Sequence, residues 1–297
     1  MPPRDSTDID FASPPFDHFR NIERLGTDRS GRSTAEHARH HLFIGRDRRT
    51  ATNQLIKLTS KPGLIYQTNL SNEIATLSTI NQELPASRHF PFVHEHGRLP
   101  DGRVYLVMSL FDELPLASAI GAERAPERLV TYLKIAIAVA EALVELHSLN
   151  IFHVDLNPMN ILSKTEKDRP VIRIVDFESS YEAARHSTDT FYSPPTTQGY
   201  SAPEVSDRAP DARSDLFSLG AVFYTMLAGY GWTWESEVGT CLEADREIEP
   251  DLKGILLPAV DPLPDRRYPS VQDFHARLAA YLERIWPGRS WQARDVD

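Results

Sequence analysis

Apolar positions along the chain follow two patterns. From residue 18 to about 110 they form short runs with polar neighbours, and beyond that they recur at helical spacing. Leu42-Phe43-Ile44 predicts a short strand, followed by a polar turn over residues 46–52. Gln54-Leu55-Ile56-Lys57-Leu58 predicts a second strand, whose period of two puts Leu55 and Lys57 on one face. Ile74, Leu77 and Ile80 predict a helix over residues 72–84, with Pro85 just beyond it. Asp101-Gly102 predicts a hairpin turn into a strand over residues 104–110. In the second regime Leu129, Leu133, Ile137, Ala140, Leu143 and Leu146 line one face of a predicted helix over residues 127–148, and Asn150 suits its left-handed stop. Residues 161–175 predict a strand, a turn over residues 164–170, and a second strand. Two more helices are predicted, over residues 216–228, closed by Gly229, and over residues 271–285.

Composition narrows the function classes. The 297 residues, 41% hydrophobic and 25% charged, suffice for one large domain or two lobes. A net charge of -10, with Lys and Arg thinly spread, argues against a nucleic-acid footprint or a polybasic membrane anchor. The one cysteine, Cys241, excludes a disulfide within the chain and fits a reducing compartment. Residues 1–17 are polar and carry Pro2, Pro3, Pro14 and Pro15, so a flexible arm is expected there. The N-terminus lacks an apolar signal core, and no apolar run reaches the ~20 residues that span a bilayer. The expectation is a soluble, cytoplasmic protein without membrane or nucleic-acid partners. Delivery by a secretion system that reads no cleavable signal stays open.

The chemistry is concentrated in His153-Val154-Asp155-Leu156-Asn157-Pro158-Met159-Asn160-Ile161-Leu162 and in Val175-Asp176-Phe177. These place two carboxylates and an amide at fixed spacings among apolar residues. Phosphoryl transfer needs such a set, one carboxylate to orient the attacking hydroxyl and another, with an amide, to hold a divalent ion. The first stretch resembles the catalytic loop of protein kinases, His-Arg-Asp-Leu-Lys-Pro-x-Asn, and Asp176-Phe177-Glu178 resembles their Asp-Phe-Gly. The resemblance covers about residues 20–285 and lies chiefly in motif order. Upstream, Lys57 sits mid-strand and Glu73 on the following helix. Downstream, Gly199-Tyr200-Ser201-Ala202-Pro203-Glu204 resembles the segment ending in Ala-Pro-Glu. Residues 211–220 resemble the start of the central large-lobe helix, and Arg267 the arginine that pairs with the Glu204 position. Small-molecule phosphotransferases such as aminoglycoside kinases share a His-x-Asp…Asn loop without these last features.

The resemblance implies an α+β, bilobal protein-kinase-like fold, with a flexible arm over residues 1–17, a strand-rich small N-lobe over 18–110, a helical large C-lobe over 111–286 and a tail over 287–297. It implies ATP bound between the lobes, near Gly26, Gly31, Leu55, Lys57, Met108, Ser109, Leu110, Phe111 and Leu162. Lys57 and Glu73 would form the ion pair that holds phosphates, and Asp155 would be the base that orients the substrate hydroxyl. Asn157 would stand in for the lysine at the transferring phosphoryl group. Asn160 and Asp176 would bind Mg²⁺, or Mn²⁺ in its place. His153 would pack on Phe177, and Asp215 would hold the backbone of the Asp155 loop. Thr197 falls where Ser/Thr kinases keep a Thr near that Asp, although an ordinary turn Thr reads equally well. The implied reaction is transfer of the γ-phosphoryl group of Mg-ATP to Ser or Thr of a protein.

Departures from the family pattern leave rivals open. The Gly-rich loop is longer and keeps only Gly26 and Gly31; Arg29 and Arg32 would supply side-chain charge there, or the loop would move. Leu55 replaces an Ala against adenine. Val154 replaces the Arg that receives an activation-segment phosphate, although residues 187–197 still offer many hydroxyls. Glu178 replaces a Gly; an exposed side chain is the expectation and a metal-facing one the alternative. These support a second reading, a pseudokinase that holds or regulates a partner protein, and a third, a kinase-fold enzyme that transfers adenylyl groups. Trp232, Trp234 and Trp286 are expected in core packing more than in an interaction surface with Trp291.

Overall fold

The computed structural model describes residues 9–26, 39–121, 123–186, 197–230 and 237–287. Residues 1–8 of the expected arm, Arg29, Gly31, Arg32, the segment 187–196, Trp232, Trp234, Trp291 and residues 288–297 lie outside them. The chain divides into two compact units, Met1–Asp112 and Glu113–Asp297. The first is strand-rich and the second helical, the bilobal α+β architecture expected.

The first lobe is an antiparallel sheet of β1 (Phe19–Arg24), β2 (His40–Asp47), β3 (Asn53–Thr59), β4 (Val93–Arg98) and β5 (Val104–Ser109), in the order β1-β2-β3-β5-β4, with one helix, α1 (Leu64–Glu83). Its register sets Leu55 beside Met108 and Lys57 beside Leu106. α1 begins eight residues before the predicted start at residue 72. Thr68, Ser78 and Thr79 donate their hydroxyls to the carbonyls of Leu64, Ile74 and Ala75, so their side chains are satisfied inside the helix. Residues 9–17 also depart from expectation. Phe16 is 1% exposed and packs with Phe43 and Tyr105 on the sheet, joined by Ile9 and Phe11.

The second lobe is built on α2 (Leu129–Ser148), which is apolar on most sides because α3 (Ala212–Ala228), α6 (Val271–Ile285) and the strand Arg169–Ile174 all pack on it. Asn150, at φ 55, ends it in the left-handed conformation expected. β6 (Leu114–Pro115), β8 (Ile161–Glu166) and β9 (Arg169–Ile174) form a three-stranded sheet, and β7 (Ile151–Phe152) pairs with β10 (Tyr181–Glu182). The turn predicted over residues 164–170 shrinks to Lys167 and Asp168, both at positive φ (48 and 65) as a two-residue hairpin demands. Pro170 is tolerated because β9 is an edge strand. α3 starts at Ala212, before the predicted residue 216, since Asp211 caps it by accepting the Arg213 amide at 2.8 Å. α6 has the predicted bounds. The shorter helices α4 (Val238–Ala244) and α5 (Pro250–Ala259) complete the lobe.

Close packing fixes α3 in place. A Cβ at Gly220 would meet Val260 Cγ1 at 2.7 Å and Ala259 Cβ at 3.2 Å. Gly220→Ala is therefore expected to cost about 1–2 kcal/mol, as overpacking outweighs the gain in helix propensity. Denaturant titration measures this, and a stabilised variant would show that α5 yields freely.

Candidate active site

In the first lobe, alternation along β3 turns Lys57 into the interior, where it is 7% exposed. An ammonium so placed needs a counter-charge. α1 supplies it: Lys57 Nζ donates to Glu73 Oε2 at 2.7 Å, with Glu73 fully buried. Of the residues expected to line a nucleotide, Met108 is buried at the end of β5, and Leu55, Ser109, Leu110 and Phe111 are half-buried. The backbone of Ser109 is tied to Phe92, its amide donating to that carbonyl at 2.9 Å. Gly26 has φ 79 and open space where a Cβ would stand. Gly31 lies outside the described residues.

In the second lobe, the loop after β7 carries Asp155 and is held from below by α3. Asp215, fully buried, accepts the amides of His153 and Val154 at 2.8 and 2.7 Å and the Nε2–H of His147 at 2.8 Å. Burial alone would raise its carboxyl. The hydrogen bond and charge of His147 outweigh that and hold it below the usual carboxylate range. Aiming both amides at Asp215 forces Val154 to φ 67, a conformation costly for a β-branched residue. His153 donates its Nε2–H to the Val175 carbonyl at 3.0 Å, and its ring meets Phe177 edge-on at 4.9 Å, the packing role expected of it.

The Asp155 carboxylate accepts the Thr197 hydroxyl at 2.5 Å. Burial pushes its carboxyl upward. The Thr197 bond opposes this, and the negative charge of Asp176 adds to it. Asn160 Nδ2 donates to the Asp155 carbonyl at 2.9 Å, and its side-chain oxygen has no partner among the described residues. Asp176 sits at φ 67 just beyond β9. Glu178, expected exposed, is half-buried, with a carboxylate oxygen within 4.8 Å of one on Asp176. Amide and carboxylate oxygens are the ligands a hard divalent cation prefers, so the donor set here suits Mg²⁺. Asn157 is held within its own loop. It is buried, its Nδ2 donates to the Asp155 carbonyl at 3.0 Å, and its Oδ1 accepts the Met159 amide at 2.9 Å. It shapes the loop. Leu162 is half-buried on β8, opposite Arg173.

Further from Asp155, Arg267 makes a bidentate pair with Glu204, both bonds 2.8 Å, and Ser214 adds its hydroxyl at 2.8 Å. Two partners in this scaffold carry no sequence signal of their own. His147 is one more polar residue in the last turn of α2, and Ser214 one more in the first turn of α3.

Three comparisons bear on this arrangement. A family model described as protein kinase domain matches residues 46–275. The Myxococcus xanthus serine/threonine-protein kinase Pkn1 is 29% identical over 280 residues, 89% of this chain and 38% of its own length. The Deinococcus radiodurans DNA damage-responsive serine/threonine-protein kinase RqkA is 33% identical over 192 residues, 63% of this chain and 26% of its own. The chain thus spans less than two fifths of either relative. Among solved structures, the Mycobacterium tuberculosis PknI kinase domain superposes with a TM-score of 0.58 at 21% identity, covering 87% of this chain and 94% of that one. That last likeness speaks to the fold.

Proposed function

The chain belongs to the protein kinase domain family, and from that premise we propose that it transfers the γ-phosphoryl group of Mg-ATP to a Ser or Thr hydroxyl of a protein substrate. One observation carries the reading most directly: the 2.5 Å hydrogen bond from Thr197 to the Asp155 carboxylate. It turns one carboxylate oxygen toward the segment ending in Glu204 and leaves the other to accept the proton of an incoming hydroxyl. Asn160 and Asp176 would hold the metal ion, which neutralises phosphate charge. Lys57, kept in place by Glu73, would meet the phosphates. Met108, Ser109, Leu110, Phe111, Leu55, Leu162 and Gly26 would border the nucleotide.

Val154 gives the loop no cation at the position before Asp155, so phosphate on the segment 187–196 has no partner there and is not the expected trigger. Among the described residues no helix is long and apolar enough to cross a membrane. The proposed partners are a protein substrate or a regulatory protein, and the proposed compartment is the cytoplasm.

Purified protein incubated with Mg-ATP and a generic basic protein tests the reading, beside Asp176→Ala. Mass spectrometry is expected to find phosphoryl adducts on Ser or Thr with the parent protein and none with the variant. A nucleotidyl adduct would replace the proposal with adenylyl transfer. No adduct and no nucleotide binding would replace it with a partner-binding module.

A further inference from the structure

The second lobe carries a cleft of about 840 Å³ that the mechanism above does not use. It begins at Gln198, the residue after the one that bonds Asp155, and extends along the start of α4 to the chain beyond α5. Its chemistry is two-sided. Phe217, Leu257 and Val260 give it apolar surface, while Glu237, Glu243 and Asp261 bring three carboxylates against a single guanidinium, that of Arg266. None of the three acids is ion-paired among the described residues, whereas exposed acids elsewhere in this lobe, such as Asp251 and Asp265, are. Ser201 also lines the cleft, and its buried hydroxyl has no hydrogen-bond partner among the described residues.

Arg and Lys side chains match this combination. Their methylene stems lie on apolar surface while their heads seek carboxylates. A neutral or acidic segment would leave the three acids unanswered and meet a chain of net charge -10. We propose that this cleft docks an Arg- and Lys-rich stretch of the phosphoryl-accepting protein, outside its acceptor residue. The inference deepens the phosphotransferase reading and rests on it. The cleft selects the substrate, and Asp155 acts on it.

The test separates the two claims by measuring binding without catalysis. A fluorescent Arg-Ala repeat peptide that lacks hydroxyl residues is titrated into the full chain, into Glu237→Lys/Glu243→Lys, and into Glu83→Lys/Glu283→Lys. The last pair makes the same change in net charge at exposed sites on α1 and α6. The cleft variant is expected to lose about tenfold in affinity and the control about twofold or less. With a basic protein as substrate, the cleft variant should raise KM at similar kcat. Equal weakening by both pairs would mean long-range charge alone, and no weakening by the cleft pair would mean that the peptide binds elsewhere. Either result overturns the proposal. Selective loss of peptide binding in a protein that labels no substrate would support the cleft and sink the phosphotransferase reading instead.

Discussion

Asp155→Asn is expected to lower the turnover number about 10³-fold and to leave the fold intact, because a positioned general base contributes about 10²–10⁴. The amide removes the proton acceptor and little else. Its oxygen can still take the Thr197 hydroxyl, and the Asp155 carbonyl keeps its bonds from Asn157 and Asn160. The stability argument has a definite sign. Burial raises the Asp155 carboxyl above its unfolded value, so the charged form is disfavoured in the folded protein, and stability attributable to this group falls as pH rises through that range. Removing the charge at neutral pH therefore should not lower Tm. Steady-state kinetics beside a thermal melt checks both halves. Unimpaired turnover would take Asp155 out of the reaction, and lost turnover with a lowered Tm would make the effect structural.

The second large effect is on stability. Arg267→Met leaves the Glu204 carboxylate buried without its cation, a loss of about 3–5 kcal/mol and a Tm lower by about 10 °C. The substitution also removes donors to the carbonyls of Arg213 and Asp261, at 2.8 and 2.7 Å. The pH dependence identifies the cause. Burial would raise the Glu204 carboxyl, but the bonds and charge of Arg267 prevail and hold it below its ordinary value. In the parent protein the pair thus stabilises above the unfolded carboxylate pKa, and its contribution is lost as pH falls through the lower folded one. In the variant burial prevails, the carboxyl titrates higher, and the deficit should shrink toward acid as Glu204 takes up a proton. Urea unfolding at neutral and mildly acidic pH measures this. A deficit that stays constant would point to lost packing instead of a buried charge.

Features that rest on one local cause were legible in the sequence. The period along β3 placed Lys57, amphipathic helical spacing placed α6, and Asn150 marked a stop that needs a left-handed residue. Asp155, Asn160 and Asp176 stood out as the residue types that phosphoryl transfer would require. What was not legible depends on contacts made across the fold. The first turns of α1 were missed because the spacing of Ile74, Leu77 and Ile80 marked the helix only from residue 72, and the back-bond of Thr68 cannot be foreseen from composition. The turn at Lys167 and Asp168 lacks the Gly that usually signals paired positive φ. Asn157 read as a substitute for a lysine, and the ties of both ends of its side chain into its own loop carried no signal in the sequence. His147 became informative only once α3 had brought Asp215 beneath it.

The packing of Phe11 and Phe16 on the first sheet also bears on where this lobe begins as a folding unit. Its outer apolar face is covered by a segment of the same chain that contains no regular secondary structure. Secondary structure alone would set the boundary at β1, and that cut would pass through a hydrophobic core. Phe43 and Tyr105 would then become part of an adhesive surface. The working N-terminal edge of the domain is an aromatic clasp, and any boundary drawn for expression, fusion or exchange of this lobe has to lie upstream of Ile9.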